Sequence, residues 1–306
     1  MVARAVSAPG PLAIGVDVGG TKILAGIVDR EGRVLDSHET TTPEGPLDAV
    51  VVALDEAVDA LVGDRVAAIG YGVPSNLDRR TRAVLRSSNL PLEGLDLLGH
   101  ARQRYGLPVG LENDANAATL AEWRLGAGRG AEDLVLLTLG TGVGGGLVLE
   151  GRLYRGWAEL GHVVVQEGGP LCVCGGHGHL EALASGTAAD RAAVELFGSE
   201  AGAETLVALA ESGDAAAGAA LDTIGSSLGA AIGSFLNMFD PDMVIVGGGF
   251  GTGAGELILD PARAAARREA IHPAGERLRL VEAELGAQAG LVGAGLVAFE
   301  ALDSAW

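Results

Sequence analysis

The chain is 306 residues long, 48% hydrophobic, and carries a formal charge of −19 at pH 7. That length exceeds one ordinary core and predicts two packed lobes, and the charge excludes nucleic acid and anionic membranes as partners because no basic stretch offsets it. The opening MVARAVSAPGPLAIGVD has one arginine before an apolar run cut by Pro9, Gly10 and Pro11, so neither a signal peptide nor a membrane span is expected there, and the expected location is the cytoplasm.

In chain order, LAIGVDVGGTKILAGIVDREGRVLDSHETTT reads as two β-rich runs around a glycine turn, then a second turn and a third strand. LDAVVVALDEAVDALVG has apolar residues at helical spacing and stops at Gly63. RVAAIGYGVPSNLD reads as one strand, and PVGLENDANAATLAEWRLG as a short strand handing over to an amphipathic helix. DLVLLTLGTGVGGGLVLEGRLYRG then repeats the opening pattern of strand, glycine turn, strand, turn and strand. Its turns align with those of AIGVDVGGTKILAGIVDREGRVL, which argues for an internal duplication. Beyond residue 188 the chain is mainly helical and brackets one strand, DMVIVGGGF. Strands alternating with helices predict an α/β fold with substantial parallel pairing.

Three glycine loops and two carboxylates carry the candidate chemistry. Gly19, Gly20, Thr21 and Lys22 follow Asp17 in a turn between strands. Glycines let a phosphate approach backbone N–H groups, and a carboxylate at a strand end can hold Mg²⁺ beside it. Lys22 is the only lysine of the chain. The spacing is not that of a Walker A loop. Gly140, Thr141, Gly142 and Gly144, continuing through Gly145 and Gly146, form a second loop, and Gly247, Gly248 and Gly249 form a third. Asp114, in Glu112–Asn113–Asp114–Ala115–Asn116, stands where a strand meets a helix and is either an N-cap or a catalytic carboxylate.

Both cysteines and three of the six histidines fall within residues 162–179. Two cysteines one residue apart cannot build a disulfide framework, whereas thiolates with imidazoles select zinc. His162, Cys172, Cys174 and one of His177 or His179 would close a four-ligand structural site.

Taken together, DVGGTK, ENDANAA, LGTGVGGGLV, AELGH and C-x-C-G-x-x-G-x-x-E occur in an order that resembles the bacterial ROK family of sugar kinases and repressors. The resemblance runs from about Ile14 to the carboxyl end. It implies the two-lobed actin-like ATPase fold, a duplicated ribonuclease H-like α/β unit with an interlobe cleft. The smaller lobe is expected at residues 1–118, completed by a helix at about 290–306, and the larger at 119–289. The implied activity is ATP-dependent phosphorylation of a hexose, glucose at its 6-hydroxyl before N-acetylmannosamine, fructose or allose. Asp17 would lie near magnesium, Gly19 to Lys22 and Gly140 to Gly144 at the phosphates, and Gly247 to Gly249 near adenosine. Asp114 matches the general base, and Asn89, Asn113, Glu159, His162 and Glu181 match sugar-contacting residues.

The family pattern has a third cysteine where this chain has His179, which favours that histidine as the fourth zinc ligand. Glu181, two residues on, would then be fixed in the sugar pocket by the metal, which itself would not touch the phosphate. PSNLD at 74–78 also departs from the family, which commonly has glycine after the proline, so Ser75 and Asn76 bear on which sugar fits. The resemblance further implies a homodimer or homotetramer. A sugar-sensing regulator is the competing class, but those relatives carry an additional amino-terminal DNA-binding domain, and here the first strand begins about twelve residues in. Polyphosphate as donor is disfavoured by the acidic composition.

Overall fold

The computed structural model describes residues 10–78, 80–87 and 90–304. In chain order the first elements are β1 (Leu12–Val18), β2 (Lys22–Val28), β3 (Val34–Thr41), α1 (Leu47–Asp59) and β4 (Val66–Val73). There follow β5 (Ser75–Leu77), β6 (Val84–Ser87), α2 (Leu97–Tyr105), β7 (Val109–Asn113) and α3 (Asp114–Leu125). The next strands are β8 (Leu134–Leu139), β9 (Val143–Leu149) and β10 (Arg152–Leu153). A helical stretch comprises α4 (Leu180–Ala184), α5 (Gly186–Phe197), α6 (Ala203–Glu211) and α7 (Ala215–Phe239). The chain closes with β11 (Met243–Gly247), α8 (Gly249–Ala254), α9 (Glu256–Glu269), α10 (Ala274–Arg277), β12 (Leu280–Glu282) and α11 (Ala289–Ser304).

Two units partition these elements, one ending at Ala121 and resuming at Gln288, the other spanning Glu122–Ala287. Each holds a five-stranded sheet, ordered β3-β2-β1-β4-β7 in the first and β10-β9-β8-β11-β12 in the second. In both, the opening three strands form an antiparallel meander and the last two join the first in parallel. The repeated order is the duplicated ribonuclease H-like arrangement of the actin-like ATPase fold.

Period-two alternation in β1 sends Ile14, Val16 and Val18 into a core with Val50, Leu54 and Val58 of α1. Ala13, Gly15 and Asp17 therefore face the opposite side, where α11 packs: Ala13 joins Ala68, Ala298 and Phe299 in a small core. Gly26, Gly15, Gly70 and Gly110 lie opposite one another across β2, β1, β4 and β7. A Cβ on Gly15, Gly70 or Gly110 would strike the carbonyl oxygen of Leu291, Ala294 or Val297, and one on Gly26 would strike the Leu291 side chain. The missing side chains thus let the α11 backbone lie directly on the sheet.

Two sequence expectations change. The run read as one strand over RVAAIGYGVPSNLD breaks at Pro74 into β4 and β5, because proline has no N–H to continue the ladder and β5 turns to pair with β6. Gly144 to Gly146 belong to strand β9, paired with Thr138, Leu137 and Leu136, so the second glycine turn contracts to Gly140–Gly142.

In the second unit, α7 is long and apolar enough to cross a membrane, but its apolar face is used in the core, where Leu221, Ile224, Leu228, Ile232 and Phe235 are buried. Gly225 and Gly229 of α7 abut the Ile258 and Ala262 carbonyls of α9.

Gly70→Ala is expected to lower unfolding free energy by about 3 kcal/mol through overpacking against α11. Gly63→Ala, at a position with open space around it, should be near neutral; urea titration of both variants checks the contrast.

Candidate functional site

In α/β sheets, ligands are met beyond the carboxyl ends of the parallel strands. Asp17, Gly72 and Glu112 stand side by side near those ends of β1, β4 and β7. Asn113 ends β7 and Asp114 begins α3. The capping role is filled by Asn113, whose Oδ1 accepts the Asn116 N–H at 3.0 Å while its Nδ2 reaches the Ser75 carbonyl at 3.4 Å. Asp114 stands one residue further on, and its Oδ1 accepts the adjacent Ala115 N–H at 2.9 Å.

This junction rests on a buried charge that the sequence reading passed over. Glu112 is 2% exposed and pairs with Arg82 at 2.9 Å. Its Oε1 also accepts the Asn113 N–H and the Asn116 amide, at 3.0 and 3.2 Å. Arg82 reaches it from the β5–β6 turn, where it adopts a φ of 61°. The buried carboxylate is therefore satisfied and holds the backbone that presents Asn113 and Asp114.

Asp17 is half-buried, and Gly290 at the start of α11 is packed so closely that a Cβ there would collide with its carboxylate. Burial, and then the neighbouring Asp114 charge, push the Asp17 pKa up to about 7, with Lys22 acting the other way. The Gly19–Thr21 turn closes through Gly19 N–H to Lys22 O at 2.9 Å, and Thr42 donates to Gly19 O at 2.8 Å. Lys22 opens β2 and pairs with Glu39 at 2.9 Å on an exposed surface. Asn89 lies outside the described residues.

The second unit gathers the remaining candidates. Gly140–Gly142 follow β8, and Gly247 ends the adjacent β11. Gly248 has a φ of 84° and packs on Leu139, while Gly249 is already the first residue of α8, so the third loop reduces to a single turn residue. Beside the second turn, Gly186 N–H donates to Gly140 O and Thr187 Oγ1 to Thr141 O, both at 2.7 Å. Glu181 Oε2 accepts the Val143 N–H at 3.0 Å.

His162, Cys172, Cys174 and His179 converge, with one ligand atom from each within 4.8 Å of all the others. Cys172 Sγ lies 3.7 Å from His162 Nδ1, and Cys174 Sγ lies 3.1 Å from His179 Nδ1. His177 instead turns to the Gly169 carbonyl at 3.1 Å and stands outside the cluster. Gly176 gives His179 its place, because a Cβ there would meet the imidazole ring. Two sulfurs and two imidazoles at this spacing fit a tetrahedral metal ion. Cys172 is buried and its Sγ is 3.3 Å from Glu181 Oε1; burial first, and the Glu181 contact further, push the thiol up to about 11. Glu159 is exposed and precedes the short turn that carries His162.

The ROK family sequence pattern matches residues 13–301. The chain belongs to the ROK family. Among ROK relatives, the glucokinase of Streptomyces coelicolor is 37% identical, over 94% of this chain and 98% of that protein. The glucokinase of Thermotoga maritima is 38% identical over 82% and 85%. The structure of a ROK glucokinase from Streptomyces griseus, in complex with glucose and AMPPNP, superposes with a TM-score of 0.83 at 39% identity, covering 94% of this chain and 99% of that one.

The Asp17 environment makes a signed prediction for ROK-fold stability in the metal- and nucleotide-free protein. The folded state keeps the Asp17 proton to about pH 7, whereas an unfolded aspartate loses it near its ordinary value. Between those values the unfolded state binds fewer protons, so stability falls as pH rises through that window and stays low above it. Asp17→Asn should therefore match the wild type below about pH 4 and exceed it by on the order of 2–4 kcal/mol at pH 8. Denaturant unfolding at both pH values checks this.

Proposed function

We propose that the chain is an ATP-dependent glucokinase that transfers the γ-phosphoryl group of Mg-ATP to the 6-hydroxyl of glucose. The observation that carries this is its likeness over nearly the whole chain to a ROK glucokinase bound to glucose and AMPPNP.

In this reading Asp114 is the general base. It accepts the proton of the 6-hydroxyl as that oxygen attacks the γ-phosphorus; the bond from phosphorus to the bridging oxygen breaks, ADP leaves, and Asp114 returns the proton to solvent. Glu112 and Arg82 hold the turn on which Asp114 stands. Asn113, Asn89, Glu159, His162 and Glu181 recognise sugar hydroxyls, for which amides, carboxylates and an imidazole are suited acceptors and donors. The Gly19–Lys22 and Gly140–Gly144 segments bind the phosphates through backbone N–H groups and the Thr21 and Thr141 hydroxyls. Gly247–Gly249 lie near adenosine. Magnesium, held at the phosphates with the help of Asp17, supplies charge neutralisation. Zinc bound by His162, Cys172, Cys174 and His179 supplies structural order to residues 162–181. We place the enzyme in the cytoplasm as a homodimer or homotetramer.

A coupled assay of ADP release, run with Mg-ATP over glucose, N-acetylmannosamine, fructose and allose, should give the highest kcat/KM for glucose. Asp114→Asn should lower kcat about a thousandfold and leave glucose affinity within a few-fold of wild type. Turnover above a tenth of wild type in that variant removes Asp114 as the base, and no turnover with any of these sugars removes the kinase reading.

A further inference from the structure

Both cysteines of the chain lie in the Cys/His cluster, so all of its thiol chemistry is concentrated there. They stand at the tip of a tight loop. Cys172 N–H donates to Gly176 O at 2.8 Å, Gly175 N–H donates to Cys172 O at 2.9 Å, and Leu171 and His177 form a bridge at the base. Cys172 and Cys174 are thus the first and third residues of one turn, and their sulfurs lie within 4.8 Å of each other. Their surroundings differ. Cys172 is only 3% exposed, whereas Cys174 is exposed and follows Val173, which is 90% exposed. Cys174 Sγ also has His179 Nδ1 at 3.1 Å.

A cysteine that responds to oxidants is accessible, held as a thiolate, and placed beside a second thiol that can resolve it. Cys174 meets the first condition by its exposure and the third through Cys172. A bound metal supplies the second, because it takes both cysteines as thiolates. We infer that Cys174 is an oxidation site, at which hydrogen peroxide converts the occupied cluster into a Cys172–Cys174 disulfide and releases the metal. The Cys174 thiolate attacks one peroxide oxygen and the O–O bond breaks. The leaving hydroxide takes a proton from solvent, which gives a sulfenic acid and one water. The Cys172 thiolate then attacks the Cys174 sulfur; the sulfur–oxygen bond breaks, and a second solvent proton turns the departing hydroxide into water. Two electrons pass from the sulfurs to the peroxide. The ligand set is two sulfurs and two imidazoles, so this one oxidation removes all of its negative charge. His162 and His179 remain, too few to hold a tetrahedral ion. The Glu181 carboxylate, 3.3 Å from Cys172 Sγ, favours the same outcome, because a disulfide sulfur beside it is neutral and a thiolate is not. Release withdraws from residues 162–181 the order that the metal supplies, and reduction restores it. The inference rests on the proposed zinc site and adds a chemical control over it.

The test is treatment of the purified protein, its zinc content measured, with an equimolar amount of hydrogen peroxide. A chromophoric zinc chelator reads the release, and mass spectrometry of unreduced peptides reads the sulfurs. Zinc should appear in step with an intramolecular Cys172–Cys174 bridge, both free thiols should be lost, and dithiothreitol should restore the capacity to bind zinc. Dimedone, which traps sulfenic acids, should label Cys174 and not Cys172 in the wild type. Cys172→Ser, without the resolving thiol, should accumulate the sulfenic acid at Cys174 and form no bridge. A bridge between two chains, first labelling at Cys172, or a bridge formed with zinc retained overturns the assignment, as does survival of both thiols in excess peroxide. Protein that holds no zinc after purification with zinc and without chelators overturns it together with the metal site on which it rests. Glucose turnover by the reduced, zinc-loaded protein is measured in parallel: its absence contradicts the proposed kinase activity and not the cysteine chemistry.

Discussion

Four glycines aligned across β2, β1, β4 and β7 set the geometry of the first unit. Without side chains at Gly26, Gly15, Gly70 and Gly110, the α11 backbone settles onto the sheet, and three of its carbonyls occupy the space that methyl groups would need. Two consequences reach the chemistry. The first turn of α11 brings Gly290 against the Asp17 carboxylate, contributing to the burial that raises its pKa. Gly293 of the same helix abuts the Ala117 carbonyl of α3, whose first residue is Asp114. One close packing arrangement therefore fixes elements that carry both carboxylates.

The second unit repeats the sheet order but uses its strand ends differently. Where the first unit places acids, the second places glycine turns braced by Glu181, Ser185 to Thr187 and Leu139. Its Cys/His cluster lies on an irregular segment between β10 and α4, a stretch with few backbone ladders of its own. A metal can supply there the order that a long loop otherwise lacks. In the proposed kinase chemistry the first copy supplies the base Asp114 and the Gly19–Lys22 phosphate segment, and the second copy supplies the Gly140–Gly144 segment.

Much of the fold was legible locally. The β1–β2 hairpin, α1 and the β7–α3 junction follow from period-two or helical patterning punctuated by glycine, and the repeated turns of residues 134–153 announced the duplication. What escaped needed partners remote in sequence. The glycine row is visible only when the registers of β2, β1, β4 and β7 are known, and Arg82 reaches Glu112 from a turn whose positive φ no pattern signalled. The cap at α3 falls to Asn113 because the helix already begins at Asp114, one residue earlier than an aspartate cap would require. Spacing alone left His177 and His179 open, and the conformations of Gly175 and Gly178, at φ of 92° and 65°, accompany the turn that sends His179 into the cluster. Glu181 was legible as a site residue from the family pattern, while its bond to Val143 was not.

The central claim is phosphoryl transfer from ATP to a sugar hydroxyl. Phosphorus NMR of the purified protein incubated with glucose and Mg-ATP tests it most directly. The account predicts one new phosphomonoester resonance, split by the two protons on carbon 6 of glucose and growing in step with ADP. ATP left unchanged, or inorganic phosphate released in place of a sugar phosphate, would contradict it.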